Sequence, residues 1–126
     1  MNFLLSIAAG GALGALARYA VMSRAGHFLG HGFPFGTLIV NIAGSFLLGV
    51  LIEIVALKWS PSQEMRAFMV VGILGSFTTF STFSLDVVAM IERGTYWPAA
   101  LYMAVSVVAA IAALFAGMIL FRHVLA

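Results

Sequence analysis

Residues 72–86 read Gly-Ile-Leu-Gly-Ser-Phe-Thr-Thr-Phe-Ser-Thr-Phe-Ser-Leu-Asp and lie in the middle of a long apolar stretch. Thr78, Thr79, Ser81, Thr82 and Ser84 put five hydroxyls where a plain spanning helix carries Leu, Ile or Val, and Phe77, Phe80 and Phe83 recur at every third position between them. In hydrocarbon each unsatisfied polar group is costly, so polar or irregular backbone persists only where it is buried in protein or lines a wet cavity. Hydroxyls donate hydrogen bonds without fixed charge, and a benzene ring is electropositive at its edge. Together they suit a small anion, and the stretch reads as the lining of a conduction path. A Phe stripe usually means aromatic packing between helices; the interleaved hydroxyls weigh against that here.

The elements that must position these groups follow from composition. The chain has 126 residues, 63% hydrophobic and 8% charged, with a mean hydropathy of +1.15. Soluble domains carry about 25% charged residues, so this chain belongs in a bilayer. A hydrocarbon core about 30 Å thick takes about 20 helical residues to cross, and four spans consume nearly the whole length. The expected fold is an all-α membrane protein with spans at about 3–22, 36–57, 66–92 and 97–121, forming one membrane domain. The net charge of +2 is scattered between spans, without the basic stripe that nucleic acid would require. There is no Cys, which excludes disulfides and thiolate metal sites. Met1 to Gly14 resembles a signal-peptide core but has no Lys or Arg in front and runs on toward Arg18, so it reads as retained.

In span one, Gly10, Gly14 and Arg18 stand four residues apart on one face. The two glycines form a GxxxG that lets another helix approach closely. Arg18 must snorkel to the interface or meet a polar partner; a vestibule role, drawing anions to a pore mouth, is the sharper alternative. Gly26, Gly30, Gly32 and Pro34 make 23–35 read as a loop. His27 and His31 lie there with metal-compatible spacing, but the glycines argue against a helix and no third ligand is near. In span two Asn41 is followed by Ser45, Gly49 and Glu53 at intervals of four. Asn41 either bonds a neighbouring helix or donates its amide to a permeating anion; the hydroxyl-rich third span favours the second. Glu53, near the span's end, is expected to reach water.

Ser60 and Pro61 read as the N-cap and first position of the third helix. That span is too long and too interrupted for one straight helix: Gly72, Gly75, Thr78 and Thr79 weaken it, and a break near 75–79 is expected at mid-membrane. Such a break frees carbonyls that could coordinate a cation. Beyond it, counting about 100° per residue puts Phe80, Phe83, Ser84 and Val87 on one face, with Thr82 and Asp86 on the other. Tyr96 and Trp97 fit an interfacial aromatic belt. In span four Tyr102 and Ser106 share a face, and an alanine-rich run to Gly117 offers close packing.

Cytoplasmic loops normally hold the excess of Lys and Arg. Lys58, Arg66 and Arg122 lie on one side and Arg18, Arg24 and Arg93 on the other, three against three; Arg18 inside the span would make it three against two. With little bias to set orientation, the chain is expected to insert both ways round and pair as an antiparallel, dual-topology homodimer.

These residues resemble the Fluc (CrcB) family of bacterial fluoride channels. The likeness runs the length of the chain: a glycine-rich first helix ending in Arg18-Tyr19, then Gly36 to Asn41, Gly44 to Gly49 and, above all, Gly75 to Ser84. The resemblance implies a passive fluoride exporter in the bacterial inner membrane, with two pathways per homodimer that draw on both subunits. It implies Phe80 and Phe83 as pore aromatics, Asn41 as a donor, Ser81, Thr82 and Ser84 as the polar track, and a structural Na+ at the dimer axis held by the backbone carbonyls of Gly75 and Thr78. Asp86 stands where the family more often has Glu, and the fourth-span side of the track is thin in polar residues. The rival class, a small proton-coupled drug exporter, needs a membrane-embedded acid early in span one, where this chain has none. A non-transporting assembly subunit would leave the hydroxyl and phenylalanine register without purpose. An enzyme is least favoured, as no nucleophile, base and orienter can be assembled.

Overall fold

A computed structural model describes residues 2–125. It is helical throughout its long elements, four of which are long and apolar enough to cross a bilayer. Helix α1 spans Asn2–Leu29 and α2 spans Phe35–Leu57. The third span is discontinuous. Its first half, α3, begins as an α turn over Gln63–Arg66, widens to a π-helix over Ala67–Leu74 and returns to α geometry over Gly75–Phe77. Two extended residues follow, Thr78 (φ −85°, ψ 159°) and Thr79 (φ −153°, ψ 122°), and α4 resumes over Phe80–Glu92. The break therefore falls inside the 75–79 window expected from the sequence. Helix α5, Tyr96–Leu125, completes the chain.

Two glycine seams hold the bundle. Along the first, α1 lies on α3: a Cβ at Gly10 would meet the Phe68 carbonyl, one at Gly14 would meet the Ile73 carbonyl, and one at Gly72 would sit 2.7 Å from the Gly10 Cα. Along the second, α2 lies on α5, with Gly49 against the Leu114 carbonyl and Gly117 against the Phe46 carbonyl. Lipid tails are as apolar as the helices, so close backbone packing rather than a hydrophobic driving force joins them. Leucine at Gly49 must push α5 away along its backbone, where no flexible atom can yield. Gly49→Leu is expected to cost at least about 3 kcal/mol and to leave little monodisperse protein on gel filtration in mild detergent.

Three local expectations are corrected. The first helix does not stop at Met22 but continues to Leu29, so 23–29 is helical and His27 with it. The glycine that ends it is Gly30, at φ +83°, a left-handed conformation that only glycine adopts without penalty. Its N–H returns to Gly26 O at 3.1 Å, and the His31 ring lies over the bare Gly26. The cap of α3 is Ser62, not Ser60: its Oγ accepts from Met65 N at 3.1 Å, and Pro61 precedes the helix instead of opening it. Glu53 does not reach water. It is buried, and its Oε1 accepts from Arg122 Nη2 at 2.8 Å. A carboxylate at that depth is held by a charge from α5, 69 positions away in sequence.

Candidate conduction site

The break is built by side chains that take over the helix ladder. Thr78 donates both its N–H (3.1 Å) and its Oγ1 (3.0 Å) to Leu74 O, which turns the chain out of helical geometry. The next peptide is then captured by α2: Thr79 N donates to Asn41 Oδ1 at 2.7 Å, and Asn41 Nδ2 donates to Thr79 O at 3.0 Å. One amide thus answers both polar groups of Thr79. Thr79 in turn caps α4, its Oγ1 accepting from Thr82 N at 3.2 Å and donating to Thr82 Oγ1 at 3.1 Å. Gly44, one turn after Asn41, makes room, since a Cβ there would strike the Thr78 methyl.

These diversions decide which carbonyls are left over. In a continuous helix Gly75 O would accept from Thr79 N and Thr78 O from Thr82 N; both donors are occupied, by Asn41 and by Thr79 Oγ1. Ser76 O, a third carbonyl at the broken end, accepts from Arg18 Nε at 3.0 Å. Arg18 therefore meets a polar partner beside the break and does not snorkel from the end of its span. Of the other basic residues, Arg24, Arg66 and Arg122 lie near the ends of spanning helices, and Lys58 and Arg93 lie in connections. Gly75 and Thr78 are the pair that the resemblance named for a cation, and hard cations take backbone oxygens of this kind.

Beside the break an open groove of ≈ 420 Å³ runs between α2, α3, α4 and α5, with Asn41, Phe80, Phe83 and Ser106 among its walls. Phe80 lines this groove and is 78% exposed in the single chain. Its centroid lies 5.5 Å from that of Phe83, which lies 5.1 Å from Tyr102. Ser106 Oγ is buried with no hydrogen-bond partner among the described residues. A buried hydroxyl left unpaired costs about 1–3 kcal/mol, and this one lies on the groove wall. Asn41 Nδ2 carries two hydrogens, one of which is committed to Thr79.

Not all expected residues converge there. Thr82 Oγ1 is engaged with Thr79, Ser84 Oγ donates to Phe80 O at 3.0 Å, and Ser81 is exposed with Oγ 3.5 Å from Thr79 Oγ1. The expected opposition of Asp86 to Phe83 is corrected. Asp86 Oδ2 accepts from Tyr102 OH at 2.9 Å, and the same ring packs against Phe83 at a 45° tilt. Residues three apart on a helix differ by only about 60° around the axis, so both reach the Tyr102 ring. The sequence reading missed that pair, and it missed Thr37, buried in span two. The four-residue spacing of Tyr102 and Ser106 was the available signal, and both are buried on one face of α5.

A multi-pass membrane protein whose third span opens into an anion-compatible groove belongs to the class of small channels and transporters. The family profile described as "CrcB-like protein, Camphor Resistance (CrcB)" matches residues 5–118. The chain is 49% identical over 126 residues to the fluoride-specific ion channel FluC of Rhodospirillum centenum, covering 100% of both chains. It is 52% identical over 121 residues to the FluC of Nitrobacter winogradskyi (96% of each chain) and 51% identical over 117 residues to that of Agrobacterium fabrum (93% of this chain, 94% of the other). This chain belongs to the CrcB family.

Proposed function

We propose that this protein is a fluoride-selective channel of the bacterial inner membrane that lets fluoride leave the cytoplasm down its electrochemical gradient. Fluoride is small and strongly hydrated, so a pathway must replace its water shell with dense, uncharged donors that do not trap it. The observation that carries the reading is the groove at the break. Ser106 with its unpartnered Oγ, Asn41 with an uncommitted N–H and the exposed Phe80 all line it, in a chain about half identical to proteins named as fluoride channels. No charged residue lines that groove, which favours passage over retention. Ser81, Thr82 and Ser84 lie along α4 outside these walls, and Ser84 has given its hydrogen to Phe80 O; in this reading they serve the pathway only beyond the groove.

The protein acts as an antiparallel homodimer in this reading. A groove that is open along one side needs a second wall, and an inverted copy supplies one. The near-even spread of basic residues supports insertion in both orientations. Gly75 O and Thr78 O, among the carbonyls left over at the break, fit a Na+ shared between copies, with Arg18 fixing the neighbouring Ser76 carbonyl. Bound there, Na+ would supply fixed positive charge and tie the two breaks together. Single-cysteine versions of this Cys-free chain labelled from each side of the membrane test the arrangement; labelling confined to one side refutes the inverted pair.

Reconstituted in liposomes and read with a fluoride electrode, the protein is expected to release fluoride rapidly and chloride negligibly. Fluoride release no faster than from protein-free liposomes sinks the proposal. Proton-coupled amine uptake without fluoride flux would transfer it to the exporter class.

A further inference from the structure

Beyond the groove beside the break, a second hollow of ≈ 270 Å³ lies toward the C-terminal end of α2 and the start of α3, and Val70 lines both. The α2 positions involved, Asn41, Ser45 and Leu48 in the first hollow and Ile52 and Val55 in the second, fall on one stripe of the helix. Aligned on that stripe and sharing Val70, the two hollows mark out a trough from the centre of the span toward its end. Its walls are apolar or neutral except at the far end, where Arg66 stands in the first turn of α3 as the only charged residue lining either hollow among the described residues. Arg66 is exposed and forms no salt bridge among the described residues, in contrast to Arg122. Side chains on a helix lean toward its N-terminus, so the guanidinium is carried outward, to where the trough meets water.

We infer that Arg66 is the electrostatic collector of the pathway: an unpaired cation at the mouth of the trough that raises the local anion concentration and sets the entry rate. The inference rests on the channel reading above. Low-dielectric walls focus the field of a charge at a cleft mouth and raise on-rates in a salt-dependent way. Placed at the end and not in the middle, the charge attracts fluoride without holding it at the narrow, donor-lined segment. Glu64, on the same turn, does not line the trough.

The test is fluoride conductance in planar bilayers at sub-saturating fluoride, at about 10 mM and at about 1 M ionic strength, where the Debye length is about 30 Å and about 3 Å. A unit charge about 10 Å from the ion's entry point in water changes its local concentration about twofold. Arg66→Gln is therefore expected to lose about twofold and Arg66→Glu about fourfold at low ionic strength. Arg66→Lys should keep the wild-type rate, all differences should vanish at high ionic strength, and fluoride-over-chloride selectivity should not move. An Arg66→Glu channel that conducts like wild type at low ionic strength overturns the inference. So does a deficit that persists undiminished in high salt, which would mark a structural role. Both outcomes leave fluoride conduction itself intact, whereas a wild type that passes no fluoride overturns the channel reading and this inference with it.

Discussion

Asn41→Asp should lower fluoride flux by about three orders of magnitude while leaving the helices assembled. The carboxylate keeps an acceptor for Thr79 N, which Asn41 Oδ1 now holds at 2.7 Å, but it has no hydrogen to give Thr79 O, which Asn41 Nδ2 now reaches at 3.0 Å. It also places a negative charge on the wall of the groove. At about 4 Å and an effective dielectric of about 20, the repulsion of a passing anion is about 4 kcal/mol, and each 1.36 kcal/mol is about tenfold in rate. Loss of one bond to Thr79 adds about 1 kcal/mol of local destabilisation. That is too little to unfold a bundle held by glycine seams elsewhere. Proteoliposome efflux, with gel filtration in detergent as the fold control, separates the two effects: a near-silent but monodisperse protein is expected. Full flux from Asn41→Asp would mean that the amide serves only to brace the break.

Phe80→Ile should cost roughly thirtyfold in flux with no loss of stability. The ring is 78% exposed and makes one aromatic contact, the tilted pair with Phe83 at 5.5 Å, so the fold asks little of it. Isoleucine preserves bulk and apolarity but has no quadrupole. Charge–quadrupole contacts are worth about 2 kcal/mol when desolvated, as this ring becomes once the inverted copy closes the groove, and that corresponds to the stated loss in rate. Phe80→Tyr, which retains the ring, should keep most of the flux. Equal losses in Ile and Tyr variants would indicate a steric role for the residue.

The features legible in the sequence were those encoded locally. Five hydroxyls in seven residues and the preceding glycines announced that the third span could not be one helix, and the break sits at Thr78 and Thr79. The glycine pair of span one announced a close helix contact, and Gly10 and Gly14 both touch α3 backbone. What stayed hidden depends on partners far along the chain. Glu53 looked like a carboxylate near water because nothing in its neighbourhood names Arg122, and Asn41 offered two readings because the peptide it holds lies 38 residues away. The end of α1 was misplaced for a different reason: Gly26, Gly30 and Gly32 were weighed alike, although of these only Gly30 takes a left-handed conformation and ends the helix. The π-helix over Ala67–Leu74, against which Gly10 and Gly14 pack, had no signature in composition. One extra residue per turn changes the facing of all that follows, including the two carbonyls of the break.

The central claim is that an anion passes through the groove bounded by Asn41, Phe80, Phe83 and Ser106. The chain has no native cysteine, so Ser45→Cys places a single thiol on the half-buried α2 wall of that groove, and a small methanethiosulfonate can fill the groove in a running fluoride-conductance recording. Progressive block of the current as the thiol reacts, reversed by reductant, is the predicted result. Complete modification, verified by mass, with the fluoride current unchanged would contradict the account.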